Sequence, residues 1–93
     1  KRVGHVHCKD VRPAVIAKAR SDGWSFLRGV LAGTFTVPGD GVIDYDAVLG
    51  TLHDGGYQGW LVVEAEQDPA VAPSYAYAKK GYETLRRIVE RLP

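Results

Sequence analysis

A histidine and a glutamate occupy matching places in this chain. His7 closes the apolar run Val3-Gly4-His5-Val6-His7, and Glu64 closes Trp60-Leu61-Val62-Val63-Glu64. A polar loop follows each, Cys8-Lys9-Asp10-Val11-Arg12-Pro13 and Ala65-Glu66-Gln67-Asp68-Pro69. Ionisable groups at the carboxyl ends of buried parallel strands are the usual address of chemistry in α/β folds. An imidazole nitrogen and a carboxylate oxygen, facing one side from neighbouring strands, make half of a divalent-metal site. Taken singly, each has an ordinary explanation: a hydrogen-bonded structural histidine, and a glutamate in a salt bridge to Lys9 or Arg12. Read together they favour a cation, because a buried unpartnered carboxylate is costly and a divalent ion stabilises both ligands.

The elements that must position these groups follow from periodicity and punctuation. Residues 2–8 are expected to form a first strand. Pro13 suits the first turn of a helix through Arg20, with Val15, Ile16 and Ala19 on one side. Asp22-Gly23 ends it, and Ser25 caps a second short helix carrying Phe26, Leu27, Val30 and Leu31, stopped by Gly33. This excursion is longer than an ordinary strand-to-helix loop and is expected to cover a barrel mouth. Thr36-Val37-Pro38-Gly39-Asp40-Gly41 is turn chemistry, either a plain reversal or a backbone cradle for an anion.

Asp44 is the expected N-cap of a third helix presenting Tyr45, Val48, Leu49 and Leu52, with His53 in its last turn and Gly55-Gly56 as its stop. Residues 60–66 read as a second strand. A final helix follows Pro73-Ser74 to about Arg91, its core stripe read as Tyr75, Ala78, Tyr82, Leu85, Val89 and Leu92. Gly81 weakens that helix by roughly 1 kcal/mol relative to alanine. Each strand precedes a helix, which is the grammar of a parallel α/β fold in one segment, residues 1–93.

Alternation assigns the faces. His5, His7 and Lys9 share one side of the first strand, and Trp60, Val62, Glu64 and Glu66 share one side of the second. The opposite sides, Val6 with Cys8 and Leu61 with Val63 and Ala65, are apolar and must meet the helices. Cys8 is read there as a small buried apolar residue, and Trp60 as a structural residue at the strand's start.

Composition removes several alternatives. Twelve basic residues against eleven acidic ones leave a net charge of +1, too weak and scattered a field for nucleic acid or an anionic membrane. No apolar run approaches the roughly 20 residues a bilayer span needs. The amino-terminal residues carry no apolar leader, and the single cysteine fits a reducing compartment, so a cytoplasmic protein is expected. Because the chain opens straight into a strand, it is expected to be a piece of a larger fold or to complete its sheet with copies of itself.

Three stretches in register carry a family resemblance: His5-Val6-His7-Cys8-Lys9-Asp10-Val11-Arg12-Pro13, Phe35-Thr36-Val37-Pro38-Gly39-Asp40-Gly41-Val42-Ile43-Asp44, and Gly56-Tyr57-Gln58-Gly59-Trp60-Leu61-Val62-Val63-Glu64-Ala65-Glu66-Gln67-Asp68-Pro69. With Tyr77-Ala78-Lys79-Lys80, they resemble the carboxyl-terminal part of the inosose dehydratase family, a branch of the xylose isomerase-like TIM barrels. The resemblance implies the last two β/α units, strands seven and eight, of an incomplete barrel. It implies a metal held by four ligands, of which His7 and Glu64 would be two, the others lying on earlier strands absent from this chain. Manganese or cobalt is the implied ion, with glutathione as an associated cofactor.

The implied reaction removes water from 2-keto-myo-inositol, a polyol ketone, to give a trihydroxycyclohexane-dione in inositol catabolism. Glu64 would then serve as ligand and proton-transfer group, and Lys9 as a catalytic cation. Arg12 would contact substrate oxygens, as would His5 and Glu66, His5 doubling as a packing residue and Glu66 having a solvated loop as its alternative. A sugar isomerase or epimerase of the same barrel group is the rival activity. A catalytically silent fragment that associates through its open strand edges, or through the remaining barrel strands, is the rival for the chain by itself.

Overall fold

Two three-residue strands in parallel form the frame for everything else. In the computed structural model, which describes residues 2–93, β1 (Val6–Cys8) pairs with β4 (Leu61–Val63) in the register Val6 to Leu61, His7 to Val62 and Cys8 to Val63. The ladder runs one bond further, the Glu64 amide donating to the Cys8 carbonyl at 3.0 Å. Between them come β2 (Asp10–Val11), α1 (Pro13–Ser21), α2 (Phe26–Leu31), β3 (Phe35–Thr36) and α3 (Tyr45–Asp54), and α4 (Ser74–Arg91) closes the order. Alternating strands and helices with a parallel pair give the α/β class expected.

Both strands are shorter than residues 2–8 and 60–66. The first is interrupted because the chain turns at Lys9 and re-pairs: β2 lies antiparallel to β3, Asp10 opposite Thr36 and Val11 opposite Phe35. That small ladder was not foreseen. It folds the turn after β3 back over the end of β1, and Asp10 and Thr36 are fully buried by it.

The helix boundaries follow their signals. Pro13 is the first residue of α1, the Ser25 hydroxyl accepts from the Arg28 amide, and the Asp44 carboxylate accepts from the Ala47 amide. Gly33 and Gly56 take φ of 91° and 75°, where a Cβ would be strained, and so end their helices. The core lies on the helix side of the β1–β4 pair. Cys8, Tyr45, Leu49, Leu85 and Ile88 form it, with Val6, Leu52, Leu61, Val63 and Leu92 packed around.

The stripe expected on α4 is corrected in part: Leu85 and Leu92 reach the core, but the rest of it does not. Tyr75, Tyr82 and Val89 are exposed, at 80%, 54% and 44%; Gly81, Leu85 and Ile88 are the buried residues of this helix. The cause is at Gly81, where an added Cβ would lie 2.7 Å from Val63 Cγ1 and 3.1 Å from Val37 Cβ. The glycine lets α4 settle against β4, and that contact leaves Tyr75, Tyr82 and Val89 facing outward. Trp60 is corrected as well: at 78% exposed it is no packing residue among those described. No described helix is long and apolar enough to cross a membrane.

Candidate functional site

The non-helix face of the β1–β4 pair gathers the ionisable residues that alternation had placed there. His7 Nδ1 meets Glu64 Oε2 directly. Continuing the register sets Lys9 opposite Glu64, and Lys9 Nζ lies 3.2 Å from Glu64 Oε1. The same ammonium donates to Glu66 Oε1 at 2.9 Å and Oε2 at 3.2 Å. His5 stacks edge-on against His7, ring centroids 4.9 Å apart. One glutamate therefore receives an imidazole on one oxygen and an ammonium on the other. The side chains remain partly open, His7 at 51% and Glu64 at 35%.

Their electrostatics follow from these contacts. The hydrogen bond from Lys9, then that from His7, lowers the Glu64 pKa below its ordinary value and keeps the carboxylate anionic. The Glu66 hydrogen bond raises Lys9 and keeps it charged against the opposing effect of desolvation, with Glu64 adding to it. Lys9 Nζ also sits 5.6 Å from the centroid of the Phe35 ring, within cation–π range. Behind the site the Tyr45 hydroxyl donates to the Lys9 carbonyl at 2.5 Å, and burial pushes that phenol up to about 12. The Cys8 thiol, 1% exposed, is also raised by burial, as suits an inert residue on the helix face.

Arg12 is not brought to this cluster. Its guanidinium donates to the Gly33 carbonyl at 2.9 Å, to Thr36 Oγ1 at 3.3 Å and to Asp40 Oδ2 at 2.6 Å. It ties the β3–α3 loop down, apart from the Glu64 cluster. In that loop the Asp40 carboxylate gathers side-chain donors. Thr36 Oγ1 donates to it at 2.7 Å and Lys80 Nζ reaches its other oxygen at 2.5 Å. Burial works to raise the Asp40 pKa, but the hydrogen bonds from Lys80, Thr36 and Arg12 outweigh it and hold the carboxyl below its ordinary value.

Sequence reasoning missed Asp10. Its Oδ1 accepts from the amides of Val11, Val42 and Ile43 at 2.8, 2.9 and 3.0 Å, while Oδ2 is buried with no partner among the described residues. Gly41 must lack a side chain there, since a Cβ would come within 2.3 Å of Asp10 Oδ1 and 2.6 Å of the Val11 carbonyl.

An imidazole nitrogen beside a carboxylate oxygen is a donor set that manganese or cobalt accepts. No group of three or more metal-capable side chains occurs among the described residues.

The fold and this cluster define an α/β protein with ionisable groups gathered at the ends of two parallel strands. Residues 1–88 match the xylose isomerase-like TIM barrel family, and the chain belongs to it. An inosose dehydratase of Klebsiella pneumoniae is 61% identical over 85 residues, 91% of this chain and 28% of that protein. The rhizopine catabolism protein MocC of Rhizobium meliloti is 56% identical over 88 residues, 95% of this chain and 27% of that protein. An inosose dehydratase of Clostridium botulinum is 48% identical over 86 residues, covering 92% and 29%. The chain thus spans under a third of the length of these curated relatives.

Proposed function

We propose that this chain is the carboxyl-terminal part, strands seven and eight with their helices, of a hydro-lyase that dehydrates 2-keto-myo-inositol. The observation that carries the reading is the convergence of His7 and Lys9 on Glu64 from two adjacent parallel strands. The similarity to inosose dehydratases supports the substrate.

His7 and Glu64 would hold manganese or cobalt with two ligands supplied elsewhere in the longer protein. The ion, when bound, supplies Lewis acidity at the substrate's ketone and adjacent hydroxyl. Glu64, with Lys9 on one oxygen and His7 on the other, would serve as ligand and as proton-transfer group. Lys9, kept charged, suits a fixed cation facing the oxygen that gains charge as the proton leaves. Glu66 anchors that ammonium, and His5 braces the His7 ring.

The test uses full-length enzyme reconstituted with manganese, inosose as substrate, and the appearance of enone absorbance as readout. His7→Ala and Glu64→Gln are each expected to lower turnover at least about a hundredfold and to lower bound manganese. Full metal content and turnover in both variants would end the assignment. A ketose–aldose interconversion without enone absorbance would favour the isomerase or epimerase reading instead.

A further inference from the structure

Phe26 lies on the first turn of α2 with 71% of its surface exposed, although nothing in the core requires an aromatic there. Its ring meets that of Phe35 at 5.7 Å between centroids, tilted by 47°. Phe35 in turn stands under Lys9 Nζ, the ammonium that binds Glu64 and Glu66. The two phenylalanines, with Trp24, Ile16 and Thr34, line an open cavity of about 360 Å³. Phe35 thus links this apolar lining to Lys9 of the polar cluster, and small-molecule subsites pair apolar lining with a few fixed polar groups.

We infer that Phe26 and Phe35 form a stacking platform for the carbon–hydrogen face of a ring-shaped polyol whose rim oxygens meet Lys9. This rests on the reading of the strand-end cluster as a site for a polyol ketone and adds what selects the ring. An aromatic face carries negative quadrupole charge, so it attracts the weakly positive hydrogens of a ring whose hydroxyls point outward around its equator. An open-chain polyol has the same oxygens but no such face, and it loses chain entropy when it is ordered.

Titration calorimetry on the full-length, manganese-loaded protein tests this, with scyllo-inositol as the cyclic probe and sorbitol as the acyclic one. All the carbon–hydrogen bonds of scyllo-inositol are axial, so both its faces are apolar. Wild type is expected to bind the ring roughly tenfold tighter than the open chain. Phe35→Leu and Phe26→Ala are expected to remove most of that preference. Leu27→Ala, which trims an equally exposed neighbour on α2 (65% exposed), is expected to keep it. Because Phe26 is exposed, its truncation leaves the fold intact even if Phe35→Leu does not.

Wild type without a ring preference, an unchanged preference in Phe26→Ala, or an equal loss in Leu27→Ala would each overturn the platform. Inosose turnover on the same preparations separates the two ideas. A ring-selective protein that fails to dehydrate inosose sinks only the hydro-lyase reading. A dehydratase whose Phe26→Ala variant stays ring-selective sinks only the platform. In an active enzyme the phenylalanine variants should raise KM with kcat little changed, because the platform binds ground state and transition state alike.

Discussion

Asp40 shows how a charge can hold a loop without joining the chemistry. Its two oxygens collect Arg12, Thr36 and Lys80, and so connect the end of β2, the β3–α3 loop and α4. Asp40→Ala leaves two cations facing each other without the anion and is expected to cost about 1–3 kcal/mol in denaturant unfolding. The pH dependence has a definite sign. The folded pKa is depressed, so the stabilisation is complete above the ordinary value of 3.8 and fades as pH falls below it through the folded pKa. Wild type and Asp40→Asn should therefore converge in stability under strong acid and differ above that value; a gap independent of pH would count against the ion-pair account. His7, Lys9, Glu64 and Glu66 were legible one residue at a time because strand alternation fixes which side chains share a face. The pairing of Arg12 with Asp40 was not legible, because the side chain's reach is long and only the folded loop offers that partner.

At the level of elements, caps and stops were readable and helix rotation was not. Ser25, Asp44, Gly33 and Gly56 act locally, within three or four residues, so the sequence displays their effect. The face that α4 buries depends on a neighbour distant in the chain. Leu85 and Leu92 reach the core on either reading, but Gly81 and Ile88 join them in place of Tyr82 and Val89, because the glycine permits a close approach to Val63 and Val37. Gly81→Ala sets two effects against each other. Helix propensity favours alanine by roughly 1 kcal/mol, whereas overpacking at that contact costs about 1–3 kcal/mol. The substitution is expected to lower the melting temperature; a higher one would mean that α4 can shift away from β4 at no cost. The β2–β3 ladder escaped notice for a similar reason: two residues per strand give no period, and their pairing is decided by burial of Asp10 and Thr36.

The molecule as a whole is more extended than a closed domain of its length. Its radius of gyration is 14.5 Å, against about 12 Å for a compact chain of 93 residues. The difference reflects an open sheet of two parallel strands and outward Phe26, Trp60 and Tyr75. Unpaired strand edges beside exposed apolar side chains promote association. The isolated 93-residue chain is expected to form concentration-dependent oligomers in sedimentation velocity and to bind manganese weakly. A strictly monomeric chain across the micromolar range, or a tight stoichiometric manganese site in a monomer, would contradict this. The class of fold was legible from the order of elements, because each strand of the parallel pair is followed by a helical segment.

The carboxylate of Asp10 has a kinetic signature. Val42 and Ile43 lie on the surface, 60% and 40% exposed, where backbone hydrogens ordinarily trade with solvent within moments. Both amides are instead captured, together with that of Val11, by one buried oxygen. In deuterium oxide these surface positions should retain their protons as stubbornly as core amides, and Asp10→Ala should release all of them together.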